Sequence, residues 1–357
     1  MLDIESVKKL QKDLSSLLGV SGHEEDVRNF ILKKIESKKL ADKAWIDPLG
    51  NVLAIKEGKV GDNRILLDAH IDEIGFMISH IEKKGFLRFV PIGGWDKRIL
   101  LGQTVVLKSG VGQLYNGIIG SKPPHLTTLE ERKKQVDIPE MYIDIGATSK
   151  EEVLSFNITI GTMGTLFSPF VEFPNGMVRG KAFDDRTGCN VLLHIMMLLK
   201  ETPVNDTVLF NFAAQEEVGG YGATAGAYKL KPTIAIAIEN TTAADVPGIR
   251  ESQIPAHIGR GPAITVADRS LISNPKVNER LIKNAELENI KYQYKKPKYG
   301  GTDASKIQIT RSGVPSTVVS VPCRYIHSPT SLLKLEDIYD TIHLIDVFLR
   351  NPANTNF

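Results

Sequence analysis

Histidine, aspartate and glutamate side chains lie at or just after the ends of five predicted strands. His70 and Asp72 come with the segment RILLDAH, whose unbroken apolar core is typical of a strand buried on both faces. A His-x-Asp pair can place one imidazole nitrogen on a metal ion while the carboxylate holds the other ring nitrogen. Taken alone, a histidine at a strand end is more often a hydrogen-bonded structural residue.

The segment GKAFDDR carries two adjacent carboxylates, Asp184 and Asp185, between a predicted strand and a predicted helix. One aspartate aimed into the crevice at the edge of the sheet could bridge two cations. The alternative is helix capping, because aspartate is favoured at N-caps and the helix dipole stabilises negative charge there. The segment by itself leaves both interpretations open.

Two adjacent glutamates, Glu216 and Glu217, directly follow the apolar strand 208–214. Carboxylates at the end of a buried strand cost free energy unless they are paired or bound to a metal ion. Adjacent side chains diverge, so one can ligate a metal ion while the other takes a proton from the metal-bound water. The alternative is the start of a solvated loop.

Glu239 and His327 complete the pattern, since Glu239 ends the predicted strand 234–238 and His327 follows the strand-like segment 317–321. With the three positions above they make two imidazoles, one potential bridging carboxylate and two terminal carboxylates. Two metal sites that share the bridge would use all five. This nitrogen and oxygen donor set suits zinc, cobalt or manganese better than calcium. The joint pattern therefore predicts a dinuclear metal centre, because the separate alternatives would otherwise all have to hold at once.

Two different patterns of predicted secondary structure surround these side chains. Alternating strands and helices predict an α/β domain over 1–72 and 166–357, with a mostly parallel sheet flanked by helices. The intervening residues 73–165 carry short β-like pieces punctuated by glycine, which are typical of a small barrel or sandwich. A charged piece at 129–134 is the one helix predicted within this insertion.

The first 38 residues predict two amphipathic helices separated by a glycine-containing turn. In that turn Ser21 is followed three residues later by Glu24, which is the spacing of a capping box. The spacing predicts that Ser21 caps the second helix.

The overall composition disfavours several classes of partner. The 44 basic and 42 acidic residues give a net charge of +2, so the basic excess that nucleic-acid binding requires is missing. Cys189 and Cys323 lack Cys-x-x-Cys spacing, which favours a reducing, cytoplasmic setting. The N-terminus lacks the apolar centre of a signal peptide, and the longest apolar run is far shorter than the ~20 residues that span a bilayer. We therefore expect neither a nucleic-acid nor a membrane partner.

These motifs make the chain resemble the tetrahedral (TET) aminopeptidases of metallopeptidase family forty-two. That family includes glutamyl and deblocking aminopeptidases, and some of its relatives have been labelled endoglucanases. The matching segments are SGHE at 21–24, DAHIDEIGF at 68–76, PIGGWDKR at 91–98, GSKPPHL at 120–126, GKAFDDR at 180–186, AAQEEVGGYGA at 213–223 and YIHS at 325–328. They cover nearly the whole chain and are highly specific in combination.

The resemblance implies a fold, an assembly and an activity. The fold would be an α/β domain of the zinc-peptidase type with an inserted PDZ-like β-barrel domain used in subunit assembly. The chain would form dimers that assemble into a tetrahedral dodecamer. The activity would be hydrolysis of N-terminal residues from peptide substrates, with two divalent metal ions per subunit, Zn²⁺, Co²⁺ or Mn²⁺.

The resemblance also implies a role for each candidate residue. His70 would ligate one metal ion and be oriented by Asp72, while Glu216 would be the general base. Asp184 would bridge both ions. The remaining metal ligands would be Glu217, Glu239 and His327.

Two segments need a separate comment. The position of Glu239 is commonly aspartate in the family, so its extra methylene bears on metal affinity and on the preferred ion. The glycine loop before a predicted helix would line the substrate groove, although a glycine loop with an aspartate or threonine cap is an equal alternative. The loop residues are Gly300, Gly301 and Thr302.

Three other functions use some of the same residues. Another dinuclear hydrolase, such as a deacylase or a phosphoesterase, would need the same ligands, but the Gly-x-x-x-x-Gly-Lys loop that would hold the phosphate of a phosphoesterase substrate is missing from the sequence. A metal-independent glycosidase could use Glu216 with a second acid. An assembly protein that had lost catalysis would not need Glu216, and the presence of this residue argues against that reading.

Overall fold

Two units make up the chain in a computed structural model that describes residues 2–297 and 300–351. The first unit takes in the chain up to Asp72, then Pro169–Ile326, then the chain from Thr330 onward. The second unit takes in Glu73–Ser168 and His327–Pro329. Within the described residues, every helix falls short of the length and apolarity needed to cross a membrane.

Helices and strands alternate through most of the first unit, whereas strands dominate the second. The helices are α1 (Ile4–Ser16), α2 (Glu25–Lys38), α3 (Leu129–Lys133), α4 (Lys150–Ser155), α5 (Phe183–Glu201), α6 (Tyr221–Leu230), α7 (Pro275–Leu287), α8 (Ala304–Ile307) and α9 (Leu335–Arg350). The strands are β1 (Lys43–Ile46), β2 (Val52–Lys56), β3 (Arg64–His70), β4 (Gly75–Ile81), β5 (Leu87–Ile92), β6 (Thr104–Lys108), β7 (Leu114–Gly120), β8 (Tyr142–Asp144), β9 (Met163–Leu166), β10 (Val171–Glu172), β11 (Met177–Gly180), β12 (Thr207–Ala213), β13 (Ile234–Thr242), β14 (Ala263–Thr265), β15 (Gln293–Lys295), β16 (Ser316–Cys323) and β17 (Ser331–Lys334).

An eight-stranded sheet in the order β1-β2-β12-β3-β13-β16-β14-β15 forms the centre of the first unit. Its four middle strands, β12, β3, β13 and β16, are mutually parallel. They read as apolar runs because helices cover both of their faces. Parallel neighbours bring their carboxyl ends to one edge, and Ala213 of β12 pairs there with His70 of β3. The predicted mostly parallel sheet flanked by helices is confirmed.

The helices pack on the two faces of this sheet through apolar stripes. On α1 the buried Val7, Leu10 and Leu14 recur at helical spacing and join one core with α2, α5, α7 and α9. The opposite face is covered by α6 and α8, whose Ala223, Ala227 and Ile307 pack on the sheet. Each fully buried leucine contributes roughly 1.5–3 kcal/mol to the free energy of unfolding.

The second unit is a closed antiparallel barrel with strand order β4-β5-β8-β7-β6-β9. Closure leaves no sheet edge free for pairing with another chain. Phe76 is fully buried in its core, stacked on Trp95 at 4.9 Å between ring centroids and edge-on to Phe89 at 5.0 Å. The predicted barrel is confirmed, and the charged helix predicted near residue 129 is α3. A further short helix in this unit, α4, was not predicted.

The predicted capping box at Ser21 is wrong. The second helix begins at Glu25, and its N-cap residue is Glu24, which makes no side-chain capping bond. Ser21 therefore lies three residues too early to cap the helix, and its hydroxyl donates instead to Asp72 at 2.6 Å. The Glu24 carboxylate accepts a hydrogen bond from the N–H of Gly22 at 2.6 Å, which closes the turn.

Glu24→Gln is expected to remove a pH dependence of stability. Burial raises the pKa of Glu24 from 4.5 to about 7, against the lowering effect of the Gly22 N–H. The folded state therefore binds this proton more tightly than the unfolded chain does. Its contribution to stability is present below pH 4.5 and is lost as the pH rises to about 7, an order-of-magnitude loss of about 3 kcal/mol.

The measurement is the free energy of unfolding of both proteins across that pH range, with a chelator present so that metal binding does not contribute. Glu25→Gln is the matched control, because Glu25 is an exposed neighbour. Parallel pH profiles for the wild type and the Glu24 variant would contradict the expectation.

Candidate metal centre

His70 ends β3 with its side chain 1% exposed and faces a group of carboxylates. Its Nε2 lies 3.3 Å from Oδ1 of Asp184, 3.8 Å from Oε2 of Glu239 and 3.9 Å from Oε2 of Glu216. These residues come from distant parts of the chain. β3, β12 and β13 are parallel neighbours in the sheet and bring His70, Glu216 and Glu239 together, whereas Asp184 arrives on the turn that begins α5. The predicted neighbours of His70 are therefore brought together within the first unit.

The other ring nitrogen of His70 is held by Asp72. Nδ1 lies 3.3 Å from Oδ1 of Asp72 and 3.2 Å from its backbone carbonyl oxygen. A nitrogen facing two oxygens carries the proton, which leaves the Nε2 lone pair available to a cation. The geometry is that of a ligand imidazole whose tautomer is set by a carboxylate.

Asp72 in turn is fully buried and held by three further donors. They are the hydroxyl of Ser21 at 2.6 Å and the backbone N–H groups of Glu216 at 3.0 Å and Glu217 at 3.1 Å. Burial favours the protonated acid, but the hydrogen bond and charge of His70, with these donors, lower the pKa of Asp72 below its ordinary value. One carboxylate thus links His70 to the start of the glutamate loop.

Asp184 and Asp185 lie in the first turn of α5, where both have non-helical backbone angles. The capping alternative holds for Asp185 and not for Asp184, because the regular part of the helix begins after Asp185. The side chain of Asp185 is fully buried, and its Oδ1 accepts a hydrogen bond from the N–H of Gly188 at 2.9 Å. Its Oδ2 has no hydrogen-bond partner among the described residues.

Two sets of side chains in this group are close enough to hold a metal ion. The ligand atoms of His70, Asp184 and Glu217 all lie within 4.8 Å of one another. The same is true of His70, Asp185 and Glu239. Asp185 is an addition to the predicted site residues, and its place in the same motif as Asp184 was the available signal.

The predicted position of Glu239 at the end of its strand is wrong. β13 continues to Thr242, and Glu239 pairs in register with Ser320 inside the ladder. Its side chain is 4% exposed and Oε1 accepts a hydrogen bond from the N–H of Asp303 at 3.1 Å. The apolar run ended at Ile238, but the backbone ladder extends further because pairing with β16 does not require apolar side chains.

The buried carboxylates of the site have raised pKa values. Burial raises the pKa of Glu216 to about 8. Repulsion from the neighbouring carboxylates adds to this increase, while the charge of His70 opposes it. Burial and the same repulsion raise the pKa of Glu239 and of Asp185 well above the ordinary values. Several carboxylates and the imidazole of His70 thus share one buried space. A pair of divalent cations with oxygen and nitrogen preference fits this donor set.

Three buried polar residues outside the predicted set support the site. Asp68, inside the apolar run of β3, accepts from Nδ2 of Asn211 at 2.6 Å, and burial raises its pKa to about 7. Arg186 is fully buried and its Nε donates to the carbonyl of Ile71 at 2.7 Å, which fixes the backbone between His70 and Asp72. Asp303 bonds Glu239 through its backbone. An acid inside an apolar run was a readable signal for Asp68, whereas the contacts of Arg186 and Asp303 depend on tertiary packing.

The glycine loop precedes α8, as predicted. Gly300 has a φ of 76°, in the left-handed region that favours glycine. Asp303 is the N-cap residue of α8 but makes no side-chain capping bond, and Oγ1 of Thr302 lies 3.3 Å from Oδ2 of Asp268. Asp303 therefore occupies the predicted cap position without making the side-chain capping bond, and the role of the loop in a groove stays a prediction.

His327 belongs to the second unit, together with Ser328 and Pro329. Within that unit its Nδ1 would lie 3.2 Å from a Cβ placed on Gly94, in the predicted PIGGWDKR motif. Its role as a metal ligand stays a prediction.

Known proteins resemble this chain over almost its full length. A "Putative aminopeptidase" of Acetivibrio thermocellus is 37% identical over 344 residues, which cover 96% of this chain and 98% of that protein. The solved structure of aminopeptidase APDkam598 from the archaeon Desulfurococcus kamchatkensis is 40% identical, with a TM-score of 0.93 over 98% of this chain and 96% of the other.

A further solved structure is that of the Pyrococcus horikoshii TET1 peptidase, described as able to assemble into a tetrahedron or a large octahedral shell. It is 32% identical, with a TM-score of 0.85, and the similarity covers 96% of this chain and 99% of that one. The family model described as "M42 glutamyl aminopeptidase" matches residues 50–344. The chain therefore belongs to the M42 glutamyl aminopeptidase family and is a peptidase.

Proposed function

We propose that this chain is an aminopeptidase whose catalysis depends on two divalent metal ions. The observation that carries the proposal is the position of His70 between two sets of carboxylates, with its other ring nitrogen held by Asp72. A single structural histidine would not need several buried acids around one nitrogen. Family membership supports the peptidase activity, and the donor set supports the metal pair.

The ligands divide between two sites in this proposal. His70 and Glu239 would hold one ion, Glu217 and His327 the other, and Asp184 would bridge both. The assignment of His327 rests on the resemblance. A metal pair, when bound, polarises the scissile carbonyl and lowers the pKa of water toward ~7.

Glu216 is proposed as the general base. Its backbone N–H is anchored on Asp72, yet its side chain is 19% exposed, compared with 4% for Glu239. It is also the member of the glutamate pair that does not belong to either set of close ligand atoms among the described residues. A carboxylate in this position can take a proton from the attacking water and deliver it to the leaving amine.

Three further residues position the proposed ligands. Asp72 holds His70 in the correct tautomer, and Ser21 fixes the second carboxylate oxygen of Asp72. The N–H of Asp303 orients Glu239. We also propose that Gly300, Gly301 and Thr302 line the substrate groove, because their loop leads directly into Asp303.

Assembly and location belong to the same proposal. We propose that residues 1–72 and 166–357 form the peptidase domain, that 73–165 form the assembly domain, and that dimers build a tetrahedral dodecamer. The assembly of the Pyrococcus horikoshii relative supports this, and light scattering would measure the mass. Both cysteines are unpaired and buried, which supports a reducing, cytoplasmic setting.

The test is a panel of aminoacyl p-nitroanilides, assayed after removal of metal ions and after addition of Zn²⁺, Co²⁺ or Mn²⁺. We expect chelation to abolish cleavage and one or more ions to restore it. An N-acetylated copy of the best substrate is the matched control and should not be cleaved, since an aminopeptidase needs a free amine. Cleavage of a β-glucan that survives chelation, without any aminoacyl hydrolysis, would replace this proposal with a glycosidase.

A further inference from the structure

A cavity of about 440 Å³ lies in the first unit, and its lining shares no residue with the candidate metal centre. It is lined by Leu2, by the first turn of α1, by the C-terminal end of α2 with the turn that follows, and by the last two turns of α5. Its size falls within the roughly 300–1,000 Å³ of sites that bind small molecules. We call it the α2–α5 cavity.

One part of the lining is an apolar wall. Leu40 is buried, and Leu2, Met197 and Leu198 are half-buried side chains that pack against the core of the unit. Because these side chains belong to a close-packed core, the wall is already in place before a ligand binds. The apolar body of a ligand would gain about 25 cal/mol for each Å² that it buries there.

Another part of the lining is positively charged. Lys38, Lys39 and Lys200 line the cavity together with Glu201, and these four side chains carry a net charge of +2. Nζ of Lys200 donates to the carbonyl oxygen of Lys38 at 2.9 Å, and Nζ of Lys38 lies 3.7 Å from Sδ of Met197. Both lysines thus reach across between α2 and α5, beside the apolar wall. A carboxylate on an apolar body is the electrostatic complement of this arrangement.

His194 supplies a buried hydrogen-bond acceptor. The residue is 3% exposed, and its Nδ1 lies 3.1 Å from the carbonyl oxygen of Asn190, so Nδ1 carries the proton. Nε2 then offers a lone pair and lies 3.4 Å from the hydroxyl oxygen of Ser6, another lining residue. That hydroxyl has one hydrogen and donates it to the carbonyl oxygen of Asp3 at 2.8 Å. A hydroxyl or ammonium group on a ligand can therefore donate to Nε2.

The imidazole of His194 is uncharged at pH 7. Burial lowers its pKa below the ordinary value of 6.5, against the effect of the Asn190 carbonyl, and the charge of Lys38 adds to the decrease. A neutral imidazole that is protonated on Nδ1 can only accept at Nε2. This position therefore favours a donor on the ligand over a second carboxylate oxygen.

We propose that the α2–α5 cavity binds a small apolar carboxylic acid with a hydrogen-bond donor on its second carbon, that is, an apolar 2-amino or 2-hydroxy acid. The carboxylate binds the lysines, the donor binds Nε2 of His194 and the side chain packs on the apolar wall. In such a ligand all three groups are attached to one carbon atom. The inference goes beyond the proposed peptidase activity and does not depend on it, because these residues lie outside the metal centre.

The test measures the binding of three acids with one carbon skeleton to the metal-loaded protein by isothermal titration calorimetry. They are 4-methylpentanoate, 2-hydroxy-4-methylpentanoate and leucine. We expect the tighter of the two acids with a donor to bind about 2- to 12-fold more strongly than 4-methylpentanoate, the usual contribution of one hydrogen bond. The order of leucine and the hydroxy acid identifies the donor as ammonium or hydroxyl.

Variants locate the binding. Lys38→Met combined with Lys200→Met should weaken the binding of all three acids by about 2- to 30-fold, because each exposed ion pair contributes little. Lys9→Met combined with Lys33→Met is the matched control. It removes the same charge from exposed positions on α1 and α2 outside the cavity lining, and should keep the wild-type affinity. His194→Leu should keep the affinity for 4-methylpentanoate and lose the preference for a donor.

A further variant excludes binding at the metal centre. Asp184→Asn should bind the acids as the wild type does, and loss of binding there would overturn the proposal. Thermal unfolding without ligand checks the fold of each variant, and the comparison of the three acids on the wild type decides the role of His194 even if His194→Leu does not fold.

The remaining outcomes also have one meaning each. If none of the three acids binds, the site is overturned, and the lysines only stabilise the C-terminal ends of α2 and α5. Equal affinity of the wild type for all three acids overturns the role of His194. Equal losses in the two double lysine variants overturn the site, since the acids would then respond to overall charge alone.

Discussion

Glu216→Gln is expected to keep both metal ions and to lose turnover by about 100- to 10,000-fold, the usual contribution of a general base. Glutamine has the same shape and can still sit on the Asp72-anchored loop, but it cannot take the proton of water. Because the side chain is more open than those of the buried acids, its replacement should leave the ligand set in place. The measurements are kcat on the best aminoacyl p-nitroanilide and metal content by elemental analysis after dialysis.

The adjacent residue supplies the matched control. Glu217 shares a cluster of close ligand atoms with His70 and Asp184, so Glu217→Gln should lose metal. The two variants change adjacent residues on the same loop. A difference in metal content between them would therefore not be explained by a general effect on folding. Unchanged turnover in Glu216→Gln would remove this residue from the mechanism, and metal loss in that variant would make it a ligand.

Asp184→Asn is expected to abolish binding of both metal ions and with it all peptidase activity. A bridging carboxylate serves two cations, so its loss removes a negative ligand from each site at once. Any variant that loses its ions should also lose the stabilisation that added metal confers on the wild type. The measurements are metal content after dialysis and the shift of the unfolding midpoint on adding Zn²⁺, Co²⁺ or Mn²⁺.

The neighbouring aspartate tests which carboxylate bridges. Asp185 lies close to His70 and Glu239, and its Oδ1 is already bonded to Gly188. Asp185→Asn keeps an oxygen for that bond, so we expect weaker binding at one site only. If Asp184→Asn retained both ions while Asp185→Asn lost them, Asp185 would be the bridge and the proposed ligand assignment would have to change.

The chemical character of the site could be predicted from local sequence. The run RILLDAH is apolar because helices cover both faces of β3, and polar residues directly after such a run must be paired or functional. The same reasoning applies to the glutamate pair after β12. Local spacing was therefore sufficient to predict the sheet, the barrel and the set of candidate side chains.

Local spacing also led to two wrong predictions. It predicted a cap for Ser21, whose hydroxyl instead reaches Asp72, which lies 51 positions away in the chain. It ended β13 at the last apolar residue, although backbone pairing carries the strand past Glu239. Both errors have one cause. A sequence pattern shows how apolar and polar residues repeat along a short segment, whereas hydrogen-bond partners come from segments that meet only after folding.

The residues themselves determined that His70 and the glutamate pair would stand at the carboxyl ends of buried parallel strands, because the chain direction and the length of the apolar runs put them there. Only the tertiary structure decided which of them share one buried space, through the register of β12, β3 and β13 and the turn that begins α5. It alone placed Asp185 in the cluster and tied Asp303 to Glu239. These contacts depend on burial and on the distance between segments that are remote in the chain. The spacing of residues along a short segment determines neither.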